Sequence, residues 1–232
     1  MTKEVSPEVE KPCSWLRFDR VAGTSPETWL ALAQTPGVGV SITDSQGRLL
    51  FVNNTSLVLF SGSADTDYEG KFIADFHPPE FVAERLALIG RVIKENKPLS
   101  IRHIFNGTPI SSTVWPIRDK TPPFNRALVI SRPGPVLEVD ALLPTSVETF
   151  DTEYIGLGPL SVLTRRELEV LVLLGHGMSV PRAAAILHRS PKTVERHKES
   201  IGKKLSLRGQ SELVYLVTTM GLELSDAQLK RL

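Results

Sequence analysis

Two domains are expected in this chain of 232 residues: an α+β domain, built as an antiparallel sheet with helices on one side, followed by an all-α domain of four helices. Three observations predict this. Short β-branched runs punctuated by turn residues fill the stretch from about Ser25 to Arg132. Prolines and acids without sustained periodicity follow, and helical spacing with repeated cap signals runs from Leu163 onward. The length allows two small domains, each with its own hydrophobic core.

In the first domain, Val38 to Thr43 is an apolar, β-branched run, Asp44-Ser-Gln-Gly47 supplies turn chemistry, and Leu49 to Val52 is a second strand ending at Asn53-Asn54. Pro79 to Lys94 places Phe81, Val82, Leu86, Leu88, Ile89, Val92 and Ile93 near helical spacing, with Pro79 suited to a first turn. Leu99 to Phe105 and Pro109 to Ile117 flank Asn106-Gly107, a dipeptide in which both residues tolerate positive φ, which predicts a hairpin. Arg126 to Ser131 is the last strand.

The helical zone opens on Thr164-Arg-Arg-Glu167, a capping box in which hydroxyl and carboxylate each satisfy one orphan amide. Leu168 to Leu174 supply an apolar face, and Gly177 can take the left-handed conformation that closes such a helix. Ser179 reads as the cap of a short alanine-rich helix, with Pro181 in its first turn and Arg182 to Leu187 following. After the brief His188-Arg189 connection, Ser190 caps a third helix that starts at Pro191 and runs to about Leu205. Its Val194, Ile201 and Leu205 share an inward face with His197 at the margin, whereas Lys192, Glu195, Arg196, Glu199 and Lys203 face away. Between about Ser211 and Gly221, Leu213, Leu216, Val217 and Met220 form an apolar stripe that is read as core or as an interface between subunits.

Charge sharpens the division. Residues 161–221 hold ten Lys or Arg against five Glu, a net of +5, whereas residues 133–160 hold five acids and no base. A basic module behind an acidic stretch points to a polyanionic partner, and it allows the acids to lie against the module and lower its affinity. The boundaries read as a leader over 1–24, the α+β domain over 25–132, the acidic linker over 133–158, the helical domain over 159–221 and a tail over 222–232. The single Cys13, in the polar leader, rules out an internal disulfide and a cysteine-ligated metal. No apolar run reaches the roughly 20 residues of a membrane span, and the first twenty residues lack a signal-peptide core. A cytoplasmic protein without membrane contact is expected.

The helical zone resembles the LuxR-type helix-turn-helix. The likeness is carried by Leu163-Thr-Arg-Arg-Glu167, Val170-Leu171, Gly177-Met-Ser179, Ala183 to Leu187, Ser190 with Thr193-Val194, His197, Ile201 and Lys204-Leu205. It implies a DNA-binding transcription regulator whose third helix reads bases in the major groove of double-stranded DNA and whose fourth helix often pairs two subunits into a homodimer. RNA polymerase stays open as a further partner. Thr193, Glu195, Arg196, Glu199 and Lys203 are the base-reading and groove-lining candidates, and Arg182, Arg189, Lys192 and Lys204 are the phosphate contacts. Glu195 and Glu199 depart from the basic residues common in that family. They either accept from a cytosine amino group or pair with Lys192, Arg196, Lys198 or Lys203 along the helix.

The first domain resembles a PAS sensor domain through Val38 to Asp44, the Gly47 turn, the strand ending in Asn53, His77-Pro78 before the long helix, and the three closing strands. The fold class is thus an α+β PAS-like domain plus an all-α helix-turn-helix domain. The likeness implies a small-molecule, light, redox or protein sensor. Flavin photochemistry of the adduct type is disfavoured because Cys13 lies outside the domain, and haem is disfavoured because only His77 and His103 could serve as axial ligands. No cofactor is therefore expected, and a small ligand under the sheet stays open.

Three rival readings fit the sequence less well. A sigma-factor-like promoter-recognition protein should carry an all-helical region upstream, where this chain is strand-rich. An enzyme is disfavoured because no nucleophile elbow or metal-spaced set occurs and Gly156-Leu-Gly158 lacks the rest of a phosphate loop. A phospho-receiver would need an acceptor aspartate ending a third strand, whereas Asp44 falls in a turn.

Overall fold

The computed structural model describes residues 26–118, 125–134 and 147–232. The leader with Cys13, and residues 135–146 of the stretch read as linker, lie outside them. A first unit, ending at Thr35, contains helix α1 (Pro26–Gln34), closed by the Thr35 hydroxyl donating to the Ala31 carbonyl at 2.8 Å. Residues 36–232 form the second unit.

The second unit begins with β1 (Gly39–Asp44) and β2 (Leu49–Val52), joined by the expected turn. Asp44 Oδ1 accepts from the amides of Gln46 and Arg48, both at 2.9 Å, while Gly47 takes φ +82°. This is an Asx-type turn, so Asp44 spends its carboxylate on backbone geometry. Asn53 then caps α2 (Asn54–Ser61): its Oδ1 accepts from the amides of Ser56 and Val40, and its Nδ2 donates to the carbonyl of Val38. One buried side chain thereby fixes a helix to the neighbouring strand. A short 3₁₀ turn (Ile73–Asp75) leads to α3 (Pro79–Glu95), whose Phe81, Val82, Leu88, Ile89 and Val92 are buried as the spacing predicts.

Strands β3 (Leu99–Phe105), β4 (Thr108–Ile117) and β5 (Arg126–Pro133) complete the antiparallel part. The β3–β4 turn has φ +51° at Asn106 and +76° at Gly107, the geometry that the dipeptide predicts. A sixth strand was not expected. β6 (Glu148–Asp151), from the stretch read as linker, pairs in parallel with β3, giving the order β2-β1-β5-β4-β3-β6. It covers the free edge of β3, buries Val147 and Thr152, and packs Phe150 on the sheet core. The four residues Glu148-Thr-Phe-Asp151 carry too short a pattern to announce this in sequence. The six-stranded sheet occupies the place where a sigma-factor-like protein would need helices, which removes that reading.

The helical part contains α4 (Arg165–Gly175), α5 (Val180–Ile186), α6 (Pro191–Leu205) and α7 (Gln210–Met220). The boundaries drawn at 158/159 and 221/222 need correction. Ile155, Leu157 and Leu160 upstream, and Leu222 and Ala227 downstream, belong to the same buried cluster as Leu168, Leu171, Val194 and Ile201. The residues read as a tail form a 3₁₀ turn (Leu224–Gln228) and β8 (Lys230–Arg231), which pairs with β7 (Tyr154–Ile155). Leu222, with no exposed surface, is the anchor that the sequence reading left outside the core.

Sheet and helices meet at the β3–β4 hairpin. The Gly107 amide donates to the Gly156 carbonyl at 2.7 Å, the Gly156 amide donates to the Ile104 carbonyl at 2.9 Å, and Ile104 joins the helical core. Gly158 sits at φ +50°, and a Cβ there would lie 2.6 Å from the Asn106 backbone. Gly156 and Gly158 are therefore required by backbone approach. Among the described residues no helix is long and apolar enough to cross a membrane.

The acids read as free linker charges are partly engaged. Glu148 is ion-paired with Arg91, and Glu153 with Lys230 at 2.7 Å. For these two residues the expected rest against the basic module gives way to local pairing; Glu138 and Asp140 lie outside the described residues.

Gly158→Ala should destabilise the protein by about 2 kcal/mol or more, because backbone cannot yield as a flexible side chain can. Gly70→Ala, at φ +70° but with open space around it, should cost only about 1 kcal/mol. Urea unfolding of both variants measures the difference.

Candidate nucleic-acid interface

The geometry of α6 begins with its turn. Arg189 N donates to Ala184 O and His188 N to Ala185 O, a Schellman pair that ends α5 with His188 at φ +51°. A non-glycine residue in the left-handed region costs some stability, but it turns the chain within two residues. Ser190 then caps α6: its Oγ accepts from the Thr193 amide at 3.2 Å and lies 2.8 Å from Thr193 Oγ1. Pro191 occupies the first position, where no amide is needed.

The cap expected of Ser179 is only half realised. Its backbone is extended as a cap requires, yet its hydroxyl makes no cap hydrogen bond. Pro181 stands second in α5 and has no N–H, so one of the two amides that such a hydroxyl could serve is missing.

Val194 and Ile201 are fully buried under α6, each contributing about 1.5–3 kcal/mol by leaving water, which fixes the rotation of the helix about its axis. The opposite side presents Lys192, Glu195, Arg196, Glu199 and Lys203 to solvent, with Thr193 and His197 half-buried at the margins. Among the described residues Glu195 and Glu199 form no ion pair within 4.0 Å, so the alternative in which they pair with Lys192, Arg196, Lys198 or Lys203 is not realised. Arg182 of α5 and Arg189 of the turn are exposed, and Arg189 Nη1 donates to the His188 carbonyl.

Lys204 stands apart from the other expected phosphate contacts. Its Nζ is 2.6 Å from Glu167 Oε2, and Glu167 also accepts from Ser200 Oγ at 2.6 Å. The same carboxylate accepts from the Thr164 amide at 2.7 Å, completing the capping box of α4. Burial pushes the Glu167 carboxyl up, but the hydrogen bonds from Lys204, Ser200 and Thr164 outweigh it and hold its pKa down to about 2. Lys204 is committed to positioning α6 on α4. The capping box was legible in the sequence, whereas its tie to a helix more than thirty residues away was not.

At α7, Leu213, Val217 and Met220 are buried within the chain and Tyr215 is 73% exposed. The stripe is core, and the outward side of α7 is left with Tyr215.

Residues 161–217 match the family described as bacterial regulatory proteins, luxR family, and residues 34–132 match the PAS fold. The chain thus carries a LuxR-type helix-turn-helix domain behind a PAS domain. Among curated relatives, the oxygen regulatory protein NreC of Staphylococcus carnosus (strain TM300) is 45% identical over 56 residues, 24% of this chain and 26% of that protein. The NreC of Staphylococcus aureus (strain JH9) gives the same figures. The chain therefore spans about a quarter of the length of the curated relatives it matches. Among solved structures, a VqmA–ligand–DNA complex from Vibrio cholerae shares 20% identity over 90% of this chain and 94% of that one, with a TM-score of 0.46. The PAS domain of a protein from Colwellia psychrerythraea shares 19% identity over 46% of this chain and 93% of its own, with a TM-score of 0.36.

Because the pKa of Glu167 is lower folded than the ordinary 4.5, the stability it contributes is present above pH 4.5 and lost as pH falls towards 2. Glu167→Gln should cost about 1–3 kcal/mol at pH 7 and progressively less below pH 4. Urea titrations of both proteins between pH 7 and pH 3 test this.

Proposed function

We propose that this protein is a sequence-specific transcription regulator that binds double-stranded DNA through α6, works as a homodimer and receives its signal in the PAS domain. One observation carries the reading: the N-terminal half of α6 offers Lys192, Glu195, Arg196 and Glu199 to solvent while its other side is locked into the core. A helix about 10–12 Å across, with long polar side chains on one side, fits the roughly 12 Å major groove. The orphan amides and positive dipole of its first turn suit a phosphate, with Lys192 beside them. Arg196 is assigned to a guanine edge, and Glu195 and Glu199 to acceptance from cytosine amino groups, so that two carboxylates limit general affinity and narrow the set of bound sequences. Arg182, Arg189 and Lys203 are assigned to phosphates.

Selection of bound fragments from genomic DNA by the full chain supplies the operator. On that operator, Arg196→Ala should lower discrimination between matched and mismatched sites by about 1–3 kcal/mol. Lys192→Ala should weaken every sequence alike and reduce the salt slope by about one unit. If neither variant changes binding measured by fluorescence anisotropy, α6 is not the reading helix.

A further inference from the structure

The connector between sheet and helices, residues 152–158, is held from two sides. On the sensor side the Thr152 hydroxyl and the Glu153 amide donate to the Glu84 carboxylate at 2.7 and 2.8 Å, and Arg85 Nη2 donates to Thr152 Oγ1 at 3.2 Å. The Tyr154 ring meets Phe81 edge-on, with centroids 5.9 Å apart. On the other side lies β8. The Lys230 amide donates to the Glu153 carbonyl at 2.8 Å and the Leu232 amide to the Ile155 carbonyl at 3.0 Å. The connector is therefore one strand of a two-stranded ribbon, where a lone strand would be a flexible link.

The segment that supplies β8, residues 222–232, is gripped unequally. Toward the helices the grip is firm. Leu222 and Ala227 lie in the helical core, Gln228 Nε2 donates to Glu169 Oε1 at 3.0 Å, and Arg231 Nη1 donates to the Leu163 carbonyl at 2.5 Å. Toward the sensor it is slight. Arg102 Nη2 of β3 stands 3.5 Å from Asp226 Oδ2, longer than an ordinary hydrogen bond. Lys230 pairs with Glu153 at 2.7 Å, but the two side chains are 64% and 67% exposed, where an ion pair contributes little. The Lys230 ammonium also lies 5.4 Å from the centre of the Tyr154 ring. Between segment and sheet is a cavity of about 120 Å³, lined by Arg102, Asp151, Asp226 and Leu229 among others, so protein atoms do not close-pack on this side. The segment belongs to the helical body, and its contacts with the sensor are the ones that break first.

We propose that residues 222–232 are a clasp: anchored among the DNA-binding helices and latched to the sensor through Lys230 and Asp226, they hold the two parts as one body, and their release opens the joint between them. That joint consists of the Gly107 amide on the Gly156 carbonyl and the Gly156 amide on the Ile104 carbonyl, and β8 backs it from the far side of the connector. Closed, the clasp lets the sensor fix where α6 stands. Open, it leaves the helices on a single strand that bends. The inference goes beyond the proposed function and needs neither DNA nor a second copy of the chain.

Amide hydrogen exchange of the full chain, followed by NMR, tests it. In the wild type Gly107, Gly156 and Lys230 should show similar protection, at least about tenfold below that of Leu171 in α4, as expected of one local opening. Lys230→Pro removes the ladder donor, the ion pair and the ring contact at an exposed position, and Arg102→Gln removes the charge that faces Asp226. In the double variant Gly107 and Gly156 should exchange about tenfold faster or more, with amides inside α4 and β4 within about twofold of wild type. Unchanged exchange at the two glycines overturns the proposal. Equal acceleration throughout α4 and β4 overturns it too, since the segment would then support the whole fold rather than the joint. The wild type alone also decides: glycine amides as protected as Leu171, or a Lys230 amide that exchanges far faster than both, would show that the clasp does not govern the joint. Anisotropy with operator DNA on the same wild-type preparation reports on the regulator reading separately, because the exchange measurement contains no DNA.

Discussion

The carboxylate of Glu167 is the interaction on which the placement of α6 depends. One buried side chain caps α4 through Thr164 and holds α6 through Ser200 and Lys204. A cap normally serves only its own helix. Here the second carboxylate oxygen and the remaining lone pairs join the first helix of the module to the third. Val194 and Ile201 settle which side of α6 is buried, and Glu167 pins the C-terminal half of that helix to α4. Arg166 and Glu169, which pair at 2.5 Å, add a second charged contact on α4, and Arg166 Nη2 reaches the carbonyl of Leu187 just before the turn. α4 therefore holds the C-terminal half of α6 and the end of α5 that leads into it, and the outer side of α6 keeps its charges exposed.

The helical module is also continuous with the sensor through backbone. Two amide-to-carbonyl bonds at Gly107 and Gly156, and a glycine at 158 where no Cβ fits, bring the β3–β4 hairpin against the segment that enters α4. Arg102 of β3 lies 3.5 Å from Asp226, a buried acid of the C-terminal segment. Such contacts leave little slack: β3 and the helical core are joined by hydrogen bonds and close packing rather than by a loose tether.

Much of this was legible because it is local. The Thr164-to-Glu167 box, the Ser190 cap, the Asn106-Gly107 hairpin and the apolar faces of α3, α4 and α6 are each set by residues within one or two turns of one another. What escaped the sequence is set at long range. The edge pairing of β6 with β3, the docking of Leu222 and β8, and the bond from Lys204 to Glu167 join residues tens of positions apart, and no spacing rule links them. Ser179 is instructive in the other direction. A cap residue was present, but the proline two places on removed a donor that it needed, so the local rule failed for a local reason. Lys204 shows the limit of reading function from charge: a base in a recognition helix can be committed inward. Of the bases expected at the DNA, it is the one that forms an ion pair among the described residues.

The account stands on the exposed side of α6 being the part of the protein that duplex DNA touches. Amide chemical shifts of the full chain, recorded during titration with a selected duplex, measure this directly. The largest changes are expected at Lys192, Thr193, Glu195, Arg196 and Glu199, with smaller ones at Arg182 and Arg189 and little change at Leu168 and Leu171 inside α4. Saturating DNA with no change along α6, or with the main changes confined to the sheet, would contradict it.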